Sequence, residues 1–237
     1  MTWTTVAVAD GTTLDAWIEH PEPTFTRAPA VIVLQELAGV NAYIRDVARR
    51  VADLGYVAIA PDLFHRTARR FEGDYDDPAA GLAHARALTP AGVAADLEAT
   101  RARLAADPCC EGARVAAWGF CMGARVAHRA NIVLPLRAAV AFYGSWPTEP
   151  DDVARLRAPT LLAWGGSDPH VAPAARRAFI DALAAAGKPY IDVVFGEASH
   201  GFCCDRHPAS YHAPSAHVAW ALATAFLAEH LPVDTKA

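Results

Sequence analysis

One cysteine stands where a strand-to-helix turn would expose its side chain. Residues 115–126 read VAAWGFCMGARV, and their centre is a G-x-C-x-G pattern with Cys121 in the middle. Gly119 and Gly123 allow a strand and a helix to pass close together without Cβ clashes. A cysteine at the start of a helix lies near free N–H groups and the positive end of the dipole, which favour a thiolate. The pattern predicts a nucleophilic cysteine, with a buried structural cysteine in a small-residue turn as the alternative.

A cysteine nucleophile needs a base to take its proton and a third group to orient that base. Asp168 and His200 each follow directly on a strand-forming run, in the chain order nucleophile, acid, histidine that accompanies such a turn. Groups at the carboxyl ends of parallel strands meet at one edge of the sheet. We therefore expect Cys121, His200 and Asp168 to form a triad. Asp168 taken alone could be a helix N-cap, and His170 is the nearest rival for the base.

A carboxylate follows the first strand of the expected parallel sheet. Glu36 lies in the loop QELAGVN, where its side chain would point toward the same edge, and the alternative is an exposed loop glutamate. This loop usually supplies one N–H group to an oxyanion, and the residue after the nucleophile supplies the other. The backbones of Leu37 and Met122 are therefore the expected oxyanion donors.

The elements that would position these residues follow from the hydrophobic periodicity. Strand-forming and helical runs alternate from about residue 30 onward, which requires a largely parallel sheet, and an N-terminal hairpin turns at Asp10-Gly11. Asn41 is the expected N-cap of the first helix. The prediction is one α/β domain over residues 1–237, with a mostly parallel eight-stranded sheet and helices on both faces. The predicted strands are Trp3–Val8, Leu14–Glu19, Ala30–Gln35, Val57–Ala60, Arg114–Trp118, Ala138–Phe142, Thr160–Trp164 and Tyr190–Phe195, and the predicted helices are Ala42–Leu54, Ala91–Ala106, Met122–Asn131, Pro173–Ala186 and Pro214–His230. The polar segment Phe64–Thr89 is expected to be irregular and to form a cap or a substrate-facing loop.

Composition narrows the class of protein. Hydrophobic residues make up 53% of the chain, enough for a large core, and the net charge of −5 argues against nucleic acid or an anionic membrane as partner. The N-terminus has no secretory pattern, and the most apolar run, Val218–Ala228, is too short to span a bilayer, so we expect a cytoplasmic protein. Four of the five cysteines form two adjacent pairs, Cys109-Cys110 and Cys203-Cys204. These pairs lack C-x-x-C spacing and are expected to be reduced thiols, without a metal.

Five stretches of the chain together resemble the dienelactone hydrolase family (carboxymethylenebutenolidases), which has the α/β-hydrolase fold. They read LQELAGVNAYIRDVARRVADLGYVAIAPDLFHR, WGFCMG, FYG, GGSDPHV and SHGFCCDRHPASYH. The combination of the Glu36 loop with a cysteine elbow is typical of this family rather than of serine esterases and lipases. The resemblance implies Cys121, His200 and Asp168 as the triad. It also implies that Glu36 partners the thiol in the resting enzyme and helps to generate the thiolate once substrate binds.

The resemblance further implies lactone substrates whose carboxylate is held by arginines. Arg206, shortly after the expected triad histidine, is the best-placed candidate, followed by Arg69 and Arg70, and all three could instead be solvated surface charges. Tyr143 of the FYG stretch is a further candidate substrate-binding residue. The segment 64–89 matches the family poorly.

These observations predict a hydrolase of lactones or small activated esters that needs no metal and no cofactor. It would act on a small-molecule substrate through a thioester on Cys121, as a monomer or a homodimer. A thioesterase or amidase with the same triad is one alternative, which a substrate profile would separate. A non-catalytic or redox-responsive binding protein on the same scaffold is another, and the complete triad argues against it.

Overall fold

The computed structural model describes residues 2–22, 27–144 and 150–233, which form an eight-stranded sheet with helices. The strands are β1 (Thr2–Ala7), β2 (Thr13–Glu19), β3 (Ala28–Leu34), β4 (Val57–Pro61), β5 (Cys110–Phe120), β6 (Ala139–Phe142), β7 (Thr160–Gly165) and β8 (Tyr190–Phe195). The helices are α1 (Ala42–Asp53), α2 (Ala79–Ala87), α3 (Pro90–Ala105), α4 (Met122–Val133), α5 (Pro150–Arg155), α6 (Pro173–Ala185) and α7 (Ala213–His230).

The strand order is β1-β2-β4-β3-β5-β6-β7-β8. β1 pairs antiparallel with β2, and β2 with β4, while every later pair is parallel. Every residue of β3 and β4 is buried, as expected for central parallel strands covered on both faces by helices. The predicted α/β fold with a mostly parallel eight-stranded sheet is confirmed, as is the N-terminal hairpin.

The start of α1 follows the sequence signal. The Asn41 Oδ1 atom accepts a hydrogen bond from the Ile44 N–H at 3.1 Å, which satisfies one of the N–H groups that the first helical turn leaves without a partner. The apolar stripe of this helix, which includes Ile44, Val47 and Val51, is fully buried. The loop between β3 and α1, which carries Glu36 and Leu37, is therefore anchored where it enters the helix.

Two helices were not predicted. The segment 64–89, expected to be irregular, contains α2, and the short helix α5 precedes β7. The only fully buried residue of α2 is Gly81, so the helix has no apolar stripe to reveal it. A Cβ atom on Gly81 would lie 2.3 Å from the carbonyl oxygen of Leu37, so α2 packs directly on the loop that carries Glu36. Within the described ranges, no helix is both long and apolar enough to cross a membrane.

Candidate active site

Cys121 occupies a strained turn between β5 and α4. Its backbone has φ +54° and ψ −117°, a conformation that is rare for a residue with a side chain. The Cys121 N–H donates to the Phe142 carbonyl oxygen at 3.0 Å, which ties the turn to the end of β6. Such a turn at the carboxyl edge of a parallel sheet presents its side chain to the crevice above the strands.

The two glycines of the elbow are required by the close approach of three backbones. A Cβ atom on Gly119 would lie 1.9 Å from the carbonyl oxygen of Gly123. A Cβ atom on Gly123 would lie 2.2 Å from the carbonyl oxygen of Leu34, at the end of β3. Since both contacts are to backbone atoms, no side-chain rotation could relieve them. The elbow therefore depends on glycine at both positions.

We expect Gly123→Ala to lower the free energy of unfolding by about 3 kcal/mol or to prevent accumulation of folded protein, because the helix must separate from β3. Gly196→Ala is the matched control, since a Cβ atom there meets nothing within 4 Å, and its effect should stay within about 0.5 kcal/mol. Denaturant titration of both variants measures the difference. Equal stabilities would mean that the backbone around the elbow adjusts freely.

Three side chains form a hydrogen-bonded chain above the carboxyl ends of the strands. The His200 Nε2 atom lies 3.0 Å from the Cys121 sulfur, and the His200 Nδ1 atom lies 2.8 Å from Asp168 Oδ2. Asp168 follows β7 and His200 follows β8. The other Asp168 oxygen accepts the His170 N–H at 2.7 Å, so the carboxylate is held from two sides. This is the arrangement in which a nucleophile, a base and an orienting acid act together.

The surroundings of His200 favour its protonated form. Burial by itself would lower the pKa of His200, but the hydrogen bonds and negative charges of Asp168 and Cys121 raise it above its ordinary value. The His200 ring also packs edge-on against Tyr143, with ring centroids 5.4 Å apart. A protonated imidazole in contact with a sulfur atom favours the thiolate form of that cysteine.

The structure places His170 beside the base rather than in its position. The rings of His170 and His200 meet edge-on at 4.9 Å, while the contact with the Cys121 sulfur belongs to His200. The hydrogen bond of His170 to Asp168 uses its backbone N–H.

Glu36 is 5% exposed and is held by a neighbouring tyrosine. The Tyr75 hydroxyl donates to Glu36 Oε2 at 3.1 Å and accepts from Asn41 Nδ2 at 2.9 Å. Burial raises the pKa of Glu36, opposed by the charge of His200 and by the hydroxyls of Tyr143 and Tyr75. Among the described residues, the hydrogen bond of the Cys121 sulfur is to His200, and none joins it to Glu36, the partner that the resemblance implies for the resting thiol. Sequence reasoning missed Tyr75, whose only signal was an aromatic residue in the segment expected to face the substrate.

The two expected oxyanion donors are the backbone N–H groups of Leu37 and Met122. Leu37 lines the same cavity as Cys121, and Met122 is the first residue of α4. N–H groups in the first turn of a helix have no helical acceptor and point out of its N-terminus, where the dipole favours negative charge. The assignment of Leu37 and Met122 as donors stays a prediction.

The triad opens into a cavity of about 510 Å³, here called the elbow cavity. Part of its wall comes from α2 and the chain just before it, which belong to the segment 64–89. The described side chains that line it include two acidic residues and three histidines but no lysine or arginine. The lining residues are Glu36, Leu37, Ala38, Gly73, Asp74, Tyr75, Pro78, Gly81, Leu82, Cys121, Pro169, His170, Ser199, His200, Gly201, Cys204, His207 and Ser210.

The arginines proposed to bind substrate lie elsewhere. Arg69 and Arg70 bind the buried carboxylate of Asp15 on β2, at 2.7 and 2.6 Å, and so neutralise a charge inside the sheet. Arg206 is exposed and does not line the elbow cavity, which is faced by Cys204 and His207 on either side of it in sequence.

Tyr143 also lies outside the lining of the elbow cavity. It is fully buried against the His200 ring, with φ +40°. Its ring contacts the His200 ring, and its assignment as a substrate-binding residue stays a prediction.

Three of the other four cysteines are buried thiols with a raised pKa. All five cysteines are free thiols. Cys204 also lines the elbow cavity, but burial and the nearby charge of Glu36 raise its pKa to about 12. Burial likewise raises the pKa of Cys203 and Cys110. These three buried cysteines therefore remain protonated, and protonated thiols are poor nucleophiles.

Comparison with known proteins agrees with this architecture. The model of the dienelactone hydrolase family matches residues 14–231. A protein of Escherichia coli strain K12, provisionally named carboxymethylenebutenolidase, is 35% identical over 227 residues, which covers 90% of this chain and 81% of the relative. The crystal structure of a provisionally named dienelactone hydrolase from Klebsiella pneumoniae superposes with a TM-score of 0.87 at 32% identity, covering 96% of this chain and 98% of the other. A dienelactone hydrolase-like promiscuous phosphotriesterase from metagenomic libraries superposes with a TM-score of 0.84 at 25% identity, covering 97% and 98% of the two chains. This chain belongs to the dienelactone hydrolase family and is a hydrolase with the α/β-hydrolase fold.

Proposed function

We propose that this protein hydrolyses lactones or small activated esters through Cys121, His200 and Asp168. The observation that carries the proposal is the hydrogen-bonded chain from Asp168 through His200 to a sulfur on a strained elbow, which opens into a cavity. A nucleophile, an oriented base and a space for a reacting carbonyl are the parts that acyl transfer requires. Membership of a hydrolase family supports the same reaction class.

In the first half of the proposed reaction, the Cys121 thiolate attacks the carbonyl carbon. The N–H groups of Leu37 and Met122 stabilise the negative oxygen of the tetrahedral intermediate. The carbon–oxygen bond of the ester then breaks, and the leaving oxygen takes the proton from His200. The products of this half are a thioester on Cys121 and an alcohol, which in a lactone stays attached to the acyl group.

In the second half, His200 takes a proton from water, and the resulting hydroxide attacks the thioester carbonyl. The carbon–sulfur bond breaks, the acid leaves, and the Cys121 thiolate and protonated His200 are restored. Asp168 holds the imidazole in the orientation that both halves need and stabilises its charged form. Glu36, buried and held by Tyr75, lines the cavity beside these groups.

The lining of the elbow cavity favours a reacting group without negative charge. A carboxylate beside the sulfur would meet the acidic side chains of Glu36 and Asp74, and the described lining offers no guanidinium or ammonium group to pair with it. A buried carboxylate without a partner is costly. The protonated His200 is already paired with Asp168 and the Cys121 sulfur, and His207 bonds to Ser210 at 2.9 Å.

The test is a turnover screen with p-nitrophenyl acetate, simple lactones, and one lactone offered both as a ring carboxylate and as its methyl ester. We expect the methyl ester to exceed the carboxylate by about tenfold or more in kcat/KM, which corresponds to about 1.4 kcal/mol. Asp74→Asn should narrow that ratio by about two- to threefold, as expected for an exposed charge. Asp77→Asn is the control, because Asp77 lies nearby in the chain but does not line the cavity.

Two outcomes of the screen would count against parts of the proposal. No turnover of any ester or lactone would contradict the hydrolase assignment for these substrates and point to a thioester or amide substrate. A carboxylate that reacts as fast as its methyl ester would contradict only the charge argument. In that case His170→Ala would show whether the His170 ring, which lines the cavity beside His200, helps to bind the carboxylate.

A further inference from the structure

A second cavity, also of about 510 Å³, lies behind the elbow. It is bounded by α2, the start of α3 and the outer face of α4. Leu82 of α2 lines both cavities, and Met122, which follows Cys121 in the chain, lines the second one. The two spaces are therefore neighbours that share a wall, and the reaction proposed above uses only the first.

The described lining of the second cavity is rich in arginine although the chain as a whole carries a net charge of −5. Among the described residues, Arg86 from α2 and Arg125 and Arg129 from α4 line it, together with one acidic residue, Asp152. Asp152 already pairs with Arg155 at 2.9 Å, outside this lining. Neither Arg86 nor Arg129 forms an ion pair with a carboxylate of the described residues.

One nitrogen atom of these guanidinium groups lacks a hydrogen-bond acceptor among the described residues. The Nε atom of Arg129 is buried and has no partner among the described residues. Burying such a donor without an acceptor is unfavourable, so an anion that reached it would bind more strongly than at an exposed arginine. The neighbouring His128 adds no charge at neutral pH, because burial lowers its pKa to about 4.

The apolar part of the lining comes from the same helix face. Met122, Val126 and Ile132 follow the spacing that places residues on one side of α4, and Arg125 and Arg129 share that side. Leu82 and Val93 complete the apolar surface from α2 and α3. A ligand in this space would contact aliphatic side chains along its body and guanidinium groups at one end.

We infer that the second cavity is a binding site for an amphipathic anion, an apolar chain or ring that ends in a carboxylate or a phosphate. The apolar body packs on Leu82, Met122 and Val126, and the anionic group binds Arg86 and Arg129, whose planar donors suit both carboxylate and phosphate. This site is separate from the elbow cavity and does not depend on the reaction proposed there.

Calorimetric titration of the full chain tests this site with octanoate, octyl phosphate, octanol and inorganic phosphate as probes. We expect octanoate or octyl phosphate to bind at one site. Octanol and inorganic phosphate should bind at least about tenfold more weakly, since octanol lacks the anionic group and inorganic phosphate lacks the apolar chain. The ratio of the two anions identifies whether a carboxylate or a phosphate is preferred. Similar affinities for octanol and octanoate would overturn the role of the arginines.

Two double variants, and the protein alkylated at Cys121, distinguish binding in the second cavity from binding in the elbow cavity. Arg86→Gln combined with Arg129→Gln should weaken the preferred anion about tenfold or more, because two charged hydrogen bonds are lost. Arg101→Gln combined with Arg177→Gln removes the same charge from α3 and α6, away from both linings, and should change affinity less than twofold. Binding should also survive alkylation of Cys121 with iodoacetamide. If alkylation abolished binding, or if both double variants weakened it equally, the anion would not occupy the second cavity.

Discussion

Cys121→Ala is expected to lower kcat/KM for ester or lactone hydrolysis by about 10⁴–10⁶-fold, with the fold unchanged. The loss is large because alanine removes the atom that forms the covalent intermediate, whereas the turn itself depends on Gly119 and Gly123. Circular dichroism and thermal unfolding would establish that the variant is folded. Mass spectrometry of the unmodified protein after brief exposure to p-nitrophenyl acetate should show one acyl group on Cys121.

Cys109→Ala is the matched control for this experiment, because Cys109 is an exposed thiol that does not line the elbow cavity. Its activity should equal that of the unmodified protein. An acyl group found on Cys109 or Cys204 with none on Cys121 would contradict the assignment of Cys121 as the nucleophile.

His200→Ala and Asp168→Asn should each reduce turnover by about 10³–10⁶-fold. Alanine removes the base, and asparagine cannot stabilise the protonated imidazole or enforce its orientation. His200→Ala should also slow the alkylation of Cys121 by iodoacetamide at neutral pH, because the protonated imidazole that favours the thiolate is gone. Timed alkylation followed by mass spectrometry separates this effect from a loss of fold.

His217→Ala provides the control for the histidine series, since His217 is exposed on α7 and lines neither cavity. Its turnover and alkylation rates should match those of the unmodified protein. If the His200→Ala variant kept most of its activity and the His170→Ala variant were inactive, the base would be His170 rather than His200.

The sequence predicted the parts of this molecule that local chemistry dictates. The elbow needs glycines at fixed positions, and the cap of α1 needs a short polar side chain such as Asn41, so both leave a readable pattern. Asp168 and His200 could be placed because the carboxyl ends of parallel strands converge on one edge, whatever the intervening helices do. The predicted strands follow from the same cause, since buried strands are runs of apolar residues.

The parts that could not be predicted depend on contacts across the fold. An arginine side chain is long enough to reach several partners. Arg69 and Arg70 pair with Asp15, because a buried carboxylate without a cationic partner is strongly destabilising. Tyr75 lies in a polar stretch with no periodicity, and its role appears only when α2 packs on the loop of Glu36. That packing occurs through Gly81, a residue that weakens any helical pattern in the sequence.

One amide group links the beginning of a helix to the position of an acid in the elbow cavity. The oxygen of Asn41 caps α1, while its nitrogen binds the Tyr75 hydroxyl that in turn holds Glu36. The two ends of this side chain cannot exchange, because only the oxygen can accept from the Ile44 N–H and only the nitrogen can donate to the tyrosine. Opening of the first turn of α1 would therefore remove the amide that supports the Tyr75–Glu36 hydrogen bond, so the local stability of this helix influences how firmly a carboxyl group beside the reacting sulfur is held.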